Sequence, residues 1–110
     1  MFEAADVTTL MKTLADPTRR AVYESLTRQG ELTVGSLVKG ASVSQPAISQ
    51  HLKSLREAGL VTERRAGRQV FYRAESKALG PLVDWIGFYS QFWRERFDKM
   101  EQVLKEMDDE

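Results

Sequence analysis

A helix signal followed at once by a hairpin signal, in the middle of the chain, limits the fold more than any other part of the sequence. Ser44 can accept a hydrogen bond from an unpaired backbone N–H, and Pro46 fits the first turn of a helix that Gly59 ends. Two β-prone runs follow, separated by a turn that contains glycine. The sequence therefore predicts a helix over residues 44–59 and a hairpin over residues 60–74.

The predicted helix has two chemically different faces. Ile48, Leu52 and Leu55 recur at helical spacing, so this stripe is expected to be buried. The opposite face lacks acids until Glu57 in the last turn, whereas an ordinary solvated face mixes Glu with Lys. Such a face is typical of a helix that lies in a DNA major groove, although a polar surface helix is the alternative. The side chains of this face are Gln45, Ser49, Gln50 and Lys53.

The predicted hairpin carries three arginines around its turn, Arg64, Arg65 and Arg68, with few acids nearby. A hairpin in this position can follow the sugar-phosphate backbone or enter the minor groove beside the helix. A brief helix between Thr33 and Gly40 supplies the first member of a helix-turn-helix. The expected fold is mainly α with a small β-hairpin wing (α+β), a winged helix-turn-helix. The alternative is a small α/β domain with a basic edge.

The charge is distributed unevenly, although the formal net charge is zero. Residues 41–73 hold six basic and two acidic side chains, residues 74–110 hold five and nine, and residues 1–40 are balanced. The local field around the helix and hairpin, rather than the net charge, decides contact with phosphate. The surplus of +4 in that segment supports double-stranded DNA as the partner.

The length of 110 residues predicts one domain spanning residues 1–110. The chain has no cysteine, which excludes disulfides, thiolate metal sites and a cysteine redox switch. A single histidine, and the lack of a phosphate-binding glycine loop, leave no pattern typical of an enzyme. No apolar run approaches the roughly 20 residues that cross a bilayer, and the start of the chain lacks the form of a signal peptide. A cytoplasmic location without a membrane partner is therefore expected.

A long C-terminal helix with a continuous apolar stripe is predicted over residues 78–107, and six of the ten aromatic residues lie between Trp85 and Phe97. The stripe is wider than a small domain can cover by itself, so a second copy of the chain is the expected partner. A monomer that folds the helix back, and an apolar ligand among the aromatics, are the alternatives. An amphipathic N-terminal helix that includes Phe2 is expected to assist the pairing. The predicted dimer interface comprises Leu10, Leu14, Leu82, Trp85, Tyr89, Phe92, Trp93 and Phe97.

Four segments of the chain, ADPTRRAVYESL, ELTVGSL, SQPAISQHLKSLREAGLV and GRQVFYR, resemble the ArsR family of bacterial winged-helix repressors. The resemblance covers nearly the whole chain and implies a homodimeric repressor that releases DNA when an inducer binds. A two-fold axis would place two recognition helices about 34 Å apart, which predicts an inverted-repeat operator. A winged helix that binds protein instead of DNA is the rival function, because a fold does not fix a function.

The resemblance also implies roles for individual residues. Ser44 joins the four side chains of the polar helix face as a groove contact. His51 is expected either to contact phosphate or to make a structural hydrogen bond.

The sequence departs from the metal-sensing members of this family. Those members carry Cys-Val-Cys where this chain has Thr33-Val34-Gly35, and others use Asp and His pairs on the last helix. Residues 78–110 contain no histidine, and Asp84 with Glu95 would make a poor site for zinc or nickel. No metal or other cofactor is expected, and no residue points to an inducer.

Overall fold

The structure is a computed structural model of the chain, which describes the backbone of residues 4–109 and the side chains of residues 6–109. Phe2 lies outside the described residues. The elements in chain order are α1 (Ala4–Ala15), α2 (Pro17–Gln29), β1 (Leu32–Thr33), α3 (Val34–Lys39), α4 (Gln45–Glu57), β2 (Val61–Ala66), β3 (Gln69–Ala74), a short 3-10 helix (Ser76–Leu79) and α5 (Gly80–Asp108). This architecture confirms the predicted winged helix-turn-helix.

Three of the helices begin at the capping residues that the sequence indicates. The carboxylate of Asp16 accepts a hydrogen bond of 2.9 Å from the Arg19 backbone N–H, which holds the pKa of that carboxyl below its ordinary value. Thr33 Oγ1 accepts from the Ser36 N–H, and Ser44 Oγ accepts from the Ala47 N–H. These bonds satisfy N–H groups that have no partner inside the first helical turn.

The sheet is antiparallel, and β3 is its central strand, between β1 and β2. In the register, Leu32 pairs with Tyr72, and Arg64 pairs with Phe71. Gly67 and Arg68 connect β2 to β3, and Gly67 has a φ of 63°. A positive φ at the first position of a two-residue turn matches the right-handed twist of the strands, so glycine is favoured there. The hairpin β2–β3 is called the wing below.

The core lies where α4 packs against α2, α3 and the base of the wing. Ile48, Leu52 and Leu55 of α4 are almost completely buried, as their spacing predicts. The remaining members of the core cluster are Leu10, Val22, Tyr23, Leu26, Leu37, Leu60 and Val61. One face of α4 is buried in this core, and its opposite face is exposed and can contact another molecule.

Two arginines fix the corner between α1 and α2. Arg19 Nη1 donates a hydrogen bond of 3.2 Å to the carbonyl of Thr13, and Arg20 Nη1 donates one of 2.8 Å to the carbonyl of Leu14. Both carbonyls belong to the last turn of α1, where they lack a partner within the helix. The corner therefore holds the end of α1 against the start of α2.

The helix α5 extends far beyond the core. Its 29 residues give a length of about 43 Å at 1.5 Å per residue, and the molecule measures 70 × 32 × 20 Å. None of the side chains of α5 is buried. Among the described residues, no helix combines the length and the apolar character that crossing a membrane requires.

Candidate nucleic-acid interface

The outward face of α4 carries the polar side chains that the sequence assigns to DNA contact. Gln45, Ser49 and Lys53 follow one another at intervals of four residues, and all three are exposed. Ser44 and Gln50 are exposed beside them. No acid lies in the first turn of α4, where the helix dipole and free N–H groups favour an anion. The face can therefore donate hydrogen bonds and approach a phosphate without like-charge repulsion.

His51 lies at the edge of this face and is half-buried. Its Nδ1 is enclosed by the protein and has no hydrogen-bond partner among the described residues. The expected structural hydrogen bond is therefore not made by Nδ1. Asp16 is the nearby charge that interacts with His51, and this interaction helps to lower the pKa of the Asp16 carboxyl. A role for His51 in phosphate contact stays a prediction.

The joint between α4 and the wing is short and hydrogen-bonded. Gly59 turns the chain with a φ of 79°, and the Leu60 N–H donates to the Leu55 carbonyl at 2.9 Å. The Leu60 carbonyl then accepts a hydrogen bond of 2.8 Å from the Glu75 N–H at the end of β3. Leu60 itself is fully buried. These contacts give the wing a fixed base beside the last turn of α4.

Three of the six basic residues in the segment 41–73 have acidic partners within the chain. Arg56 Nη1 lies 3.0 Å from Glu63 Oε2, and Arg73 Nη2 lies 3.8 Å from Glu75 Oε2. Arg64 donates two hydrogen bonds to Glu31. The sequence predicts Arg64 to be a DNA-contacting arginine of the wing and does not reveal its partner. Glu31 lies 33 positions earlier, and only the order of the strands brings the two together.

Lys53, Arg65 and Arg68 are the other three basic residues of the segment. Within residues 6–109, no ion pair involves any of them, and all three are exposed. Lys53 is on α4, Arg65 is in β2, and Arg68 is in the turn of the wing. The positive charge that stays uncompensated is therefore located on the two elements that the sequence predicts to contact DNA.

Tyr72 connects the charged residues of the wing to the core. It faces Glu63 across the strand pair β2–β3 and is half-buried against the core cluster. Burial raises the pKa of its hydroxyl above the ordinary value, so the side chain stays neutral at physiological pH. Tyr72 anchors the wing to the core and adds no charge to the face that approaches DNA.

The residues predicted for the dimer interface divide into two groups. Leu10 is only 3% exposed and belongs to the core cluster of its own chain, so the prediction for this side chain is corrected. The physical reason is that α1 packs its apolar stripe against α2 and α5 within the protomer. Leu14 and Leu82 pack partly against the same core. The other predicted residues are Trp85, Tyr89, Phe92, Trp93 and Phe97, of which only Trp85 is half-buried.

The exposed aromatic side chains of α5 contact one another along the helix. The rings of Trp93 and Phe97 stack with their centres 5.9 Å apart, and those of Trp85 and Tyr89 are 5.0 Å apart. Trp93 is 49% exposed and Phe97 is 58% exposed. The exposed apolar row continues to the end of the helix through Met100, Val103, Leu104 and Met107. Exposed apolar patches of this extent mark interaction sites.

Metal-binding groups are dispersed in the part of the chain that the structure describes. No three side chains of His, Cys, Asp or Glu within it lie close enough together to hold a metal ion. Thr33, where the resemblance to the metal-sensing proteins would place a thiolate, uses its Oγ1 to cap α3, and Gly35 has no side chain to offer.

Comparison with known proteins identifies the family. The model described as "Bacterial regulatory protein, arsR family" matches residues 16–63. The HTH-type transcriptional regulator Rv2034 of Mycobacterium tuberculosis is 40% identical over 91 residues, which are 83% of this chain and 81% of that protein. The chain belongs to the ArsR family. The ArsR-like transcriptional regulator from Rhodococcus sp. RHA1 has a similar structure, with a TM-score of 0.70 and 28% identity over 90% of this chain and 92% of that one.

A second similar protein is the biofilm growth-associated repressor of Agrobacterium fabrum. It is 49% identical over 76 residues, which are 68% of this chain and 64% of that protein. The chain thus spans less than two thirds of the length of this relative.

Proposed function

We propose that this ArsR-family protein is a transcriptional repressor that binds DNA with α4 and the wing. In this proposal the outward face of α4 lies in the major groove, where Gln and Ser side chains read base edges. The wing lies along the sugar-phosphate backbone of the DNA beside that groove. The observation that carries the proposal is that Lys53, Arg65 and Arg68 are exposed on these two elements and form no ion pair with another residue that the structure describes. Relatives that are named as repressors support the same assignment.

The groove-contacting residues of the proposal are exposed and have room to reach outward. They are Ser44, Gln45, Ser49, Gln50 and Lys53. The phosphate contacts are Lys53 and the two unpaired arginines of the wing, with His51 as a further candidate. Arg64 is treated separately below, because its guanidinium already has a partner within the chain.

The repressor acts as a homodimer in this proposal, with α5 as the main interface. The support is the row of exposed apolar side chains from Ile86 to Met107, which face water in a single chain. A second chain packed against this row would remove these side chains from water. Two-fold symmetry would set two α4 helices about one DNA turn apart, roughly 34 Å, and the operator would be an inverted repeat. The DNA sites that the dimer binds should therefore contain two half-sites with this spacing.

The repressor works in the cytoplasm and does not sense metal at the sites that other family members use. Thr33 and Gly35 cannot replace thiolates, and Asp84 and Glu95 of α5 lack a histidine partner in residues 78–110. Added zinc or nickel should therefore leave the affinity of the protein for its DNA unchanged.

Selection of genomic DNA fragments that the purified protein retains tests this function. The expected result is a small set of fragments that share an inverted repeat and lie upstream of genes. A reporter driven by such a fragment should be less active when the protein is produced. Failure to retain any fragment at low salt would overturn the proposal and favour a winged helix that binds protein.

A further inference from the structure

Arg64 is held by two groups from different parts of the chain. Its Nε donates a hydrogen bond of 3.2 Å to Glu31 Oε2, and its Nη2 donates one of 2.5 Å to Glu31 Oε1. This is the fork-shaped pairing in which a guanidinium and a carboxylate meet through two parallel bonds. The guanidinium carbon also lies 4.8 Å from the centre of the Phe71 ring.

The strand register explains why these three side chains meet. Arg64 pairs with Phe71 across β2–β3, and Phe71 pairs with Thr33 across β3–β1. Paired residues in an antiparallel sheet share a face, so Arg64, Phe71 and Thr33 lie on one side of the sheet. Glu31 lies two residues before Thr33, next to the edge strand β1. Arg64 therefore reaches over the ring on the central strand to a carboxylate at the far edge of the sheet.

The contact joins the wing to the segment that precedes β1. Glu31 follows the end of α2, whereas Arg64 is in the middle of β2. The hydrogen bonds from Arg64 lower the pKa of the Glu31 carboxyl, so the pair stays charged at neutral pH. The group of Glu31, Arg64 and Phe71 is called the wing clasp below.

Arg65 has a different environment from its neighbour. Because successive residues of a strand face opposite sides, Arg65 points away from the clasp, and it makes no ion pair among the described residues. Arg68, in the turn, is likewise unpaired within the same part of the chain. Arg65 and Arg68 are thus free for phosphate, while Arg64 and Arg73 have acidic partners inside the protein.

We propose that Arg64 is a positioning residue, which sets the angle of the wing through the clasp so that Arg65 and Arg68 meet the DNA backbone. This inference rests on the proposed DNA binding. It replaces the sequence-based assignment of Arg64 as a direct DNA contact. Glu31, which no sequence pattern indicates, becomes a residue that DNA binding needs without touching DNA.

The first test uses the free protein, so it does not depend on DNA binding. Amide hydrogen exchange in β2 and β3 is compared among wild type, Glu31→Gln, Arg64→Gln and the double variant. Each single change should speed exchange in the wing to the same extent, and the double variant should be no faster, because either change opens the same contact. The control is Arg28→Gln on α2, whose ion pair with Glu24 spans 4.0 Å and lies outside the sheet. Unchanged exchange in both single variants would overturn the clasp.

The second test measures DNA affinity over a series of salt concentrations for the same variants. Glu31→Gln and Arg64→Gln should each weaken binding by about fivefold, the size of a lost ion pair, and leave the salt slope unchanged. Arg68→Gln should instead reduce the slope by about 0.9, as expected for one phosphate contact. The exchanged pair Glu31→Arg with Arg64→Glu should recover affinity relative to either single variant.

The results of the second test separate two kinds of failure. If Arg64→Gln reduces the salt slope as Arg68→Gln does, while Glu31→Gln strengthens binding, Arg64 is a phosphate contact and the inference is wrong. If wild type binds no DNA at any salt concentration, the proposed function fails instead, and the hydrogen exchange result still decides whether the clasp holds the wing.

Discussion

Arg56 Nη1 lies 3.0 Å from Glu63 Oε2, which joins the last turn of α4 to the first strand of the wing. The ion pair spans the turn at Gly59 and reinforces the backbone hydrogen bonds of Leu60. Its two side chains are partly exposed, so the contact is accessible to solvent. The orientation of the wing relative to α4 thus depends on side-chain contacts at two places, this pair and the wing clasp.

Removing the Arg56–Glu63 pair should cost a small amount of stability. Arg56→Gln or Glu63→Gln is expected to lower the free energy of unfolding by roughly 0.2–1 kcal/mol, the usual range for a solvent-accessible ion pair. The double variant should lose less than the sum of the two, because both changes remove one interaction. Urea unfolding at a fixed protein concentration measures this difference. Strict additivity would show that the two groups do not interact.

Neutralising an unpaired cation should reduce the salt dependence of DNA binding. Each of Lys53→Gln, Arg65→Gln and Arg68→Gln is expected to lower the slope of log affinity against log salt by about 0.9, because one phosphate contact is lost. Affinity measured by fluorescence anisotropy across several salt concentrations gives the slope. The matched control is Lys105→Gln near the end of α5, which should leave the slope at the wild-type value.

Truncating a base-reading side chain should reduce specificity and spare nonspecific binding. Gln45→Ala or Gln50→Ala is expected to weaken binding to the selected operator by roughly 1–3 kcal/mol, the range for one good base contact. Binding to unrelated DNA and the salt slope should stay unchanged, since glutamine carries no charge. Competition between operator and unrelated duplexes measures the ratio. An equal loss on both duplexes would mean that these side chains contact only the backbone.

A charge within the exposed apolar row of α5 should separate the protomers. Trp93→Glu or Phe97→Glu places a carboxylate where the proposed interface excludes water, so sedimentation should show a monomer at concentrations where wild type is a dimer. The control is Gln91→Glu, an acidic substitution on the polar side of the same helix. A monomeric wild type would contradict the proposed interface directly.

Acid should open the wing clasp. The pKa of Glu31 is lowered from its ordinary value of 4.5 by the hydrogen bonds from Arg64. A carboxyl with a lowered folded-state pKa stabilises the fold above its ordinary pKa, and this contribution is lost as pH falls through the lowered value. The backbone amide resonances of Glu31 and Arg64 in an NMR titration should therefore stay unchanged through the ordinary titration range of a glutamate and shift at lower pH. In Glu31→Gln that shift should be missing.

The features that the sequence predicted well depend on residues that are close together in the chain. The buried stripe of α4 follows from the spacing of Ile48, Leu52 and Leu55, and the turn of the wing follows from Gly67. The cap at Ser44 is equally local. Helical and strand periods are set within a few residues, so such patterns can be read without a structure.

The features that sequence missed depend on residues far apart in the chain. The partner of Arg64 is 33 positions away, and nothing near Glu31 indicates that β1 would lie beside the wing. Leu10 was assigned to a dimer interface because amphipathic spacing identifies an apolar face but not the surface that covers it. In the structure that surface belongs to the same chain.

Backbone amide mapping during a titration with the selected operator duplex shows directly which surface of the protein binds DNA. The largest chemical-shift changes are expected in the first two turns of α4 and around Arg65–Arg68 of the wing, with the distal half of α5 unaffected. Changes confined to α5 or α2, with α4 and the wing unperturbed, would contradict the proposed DNA interface.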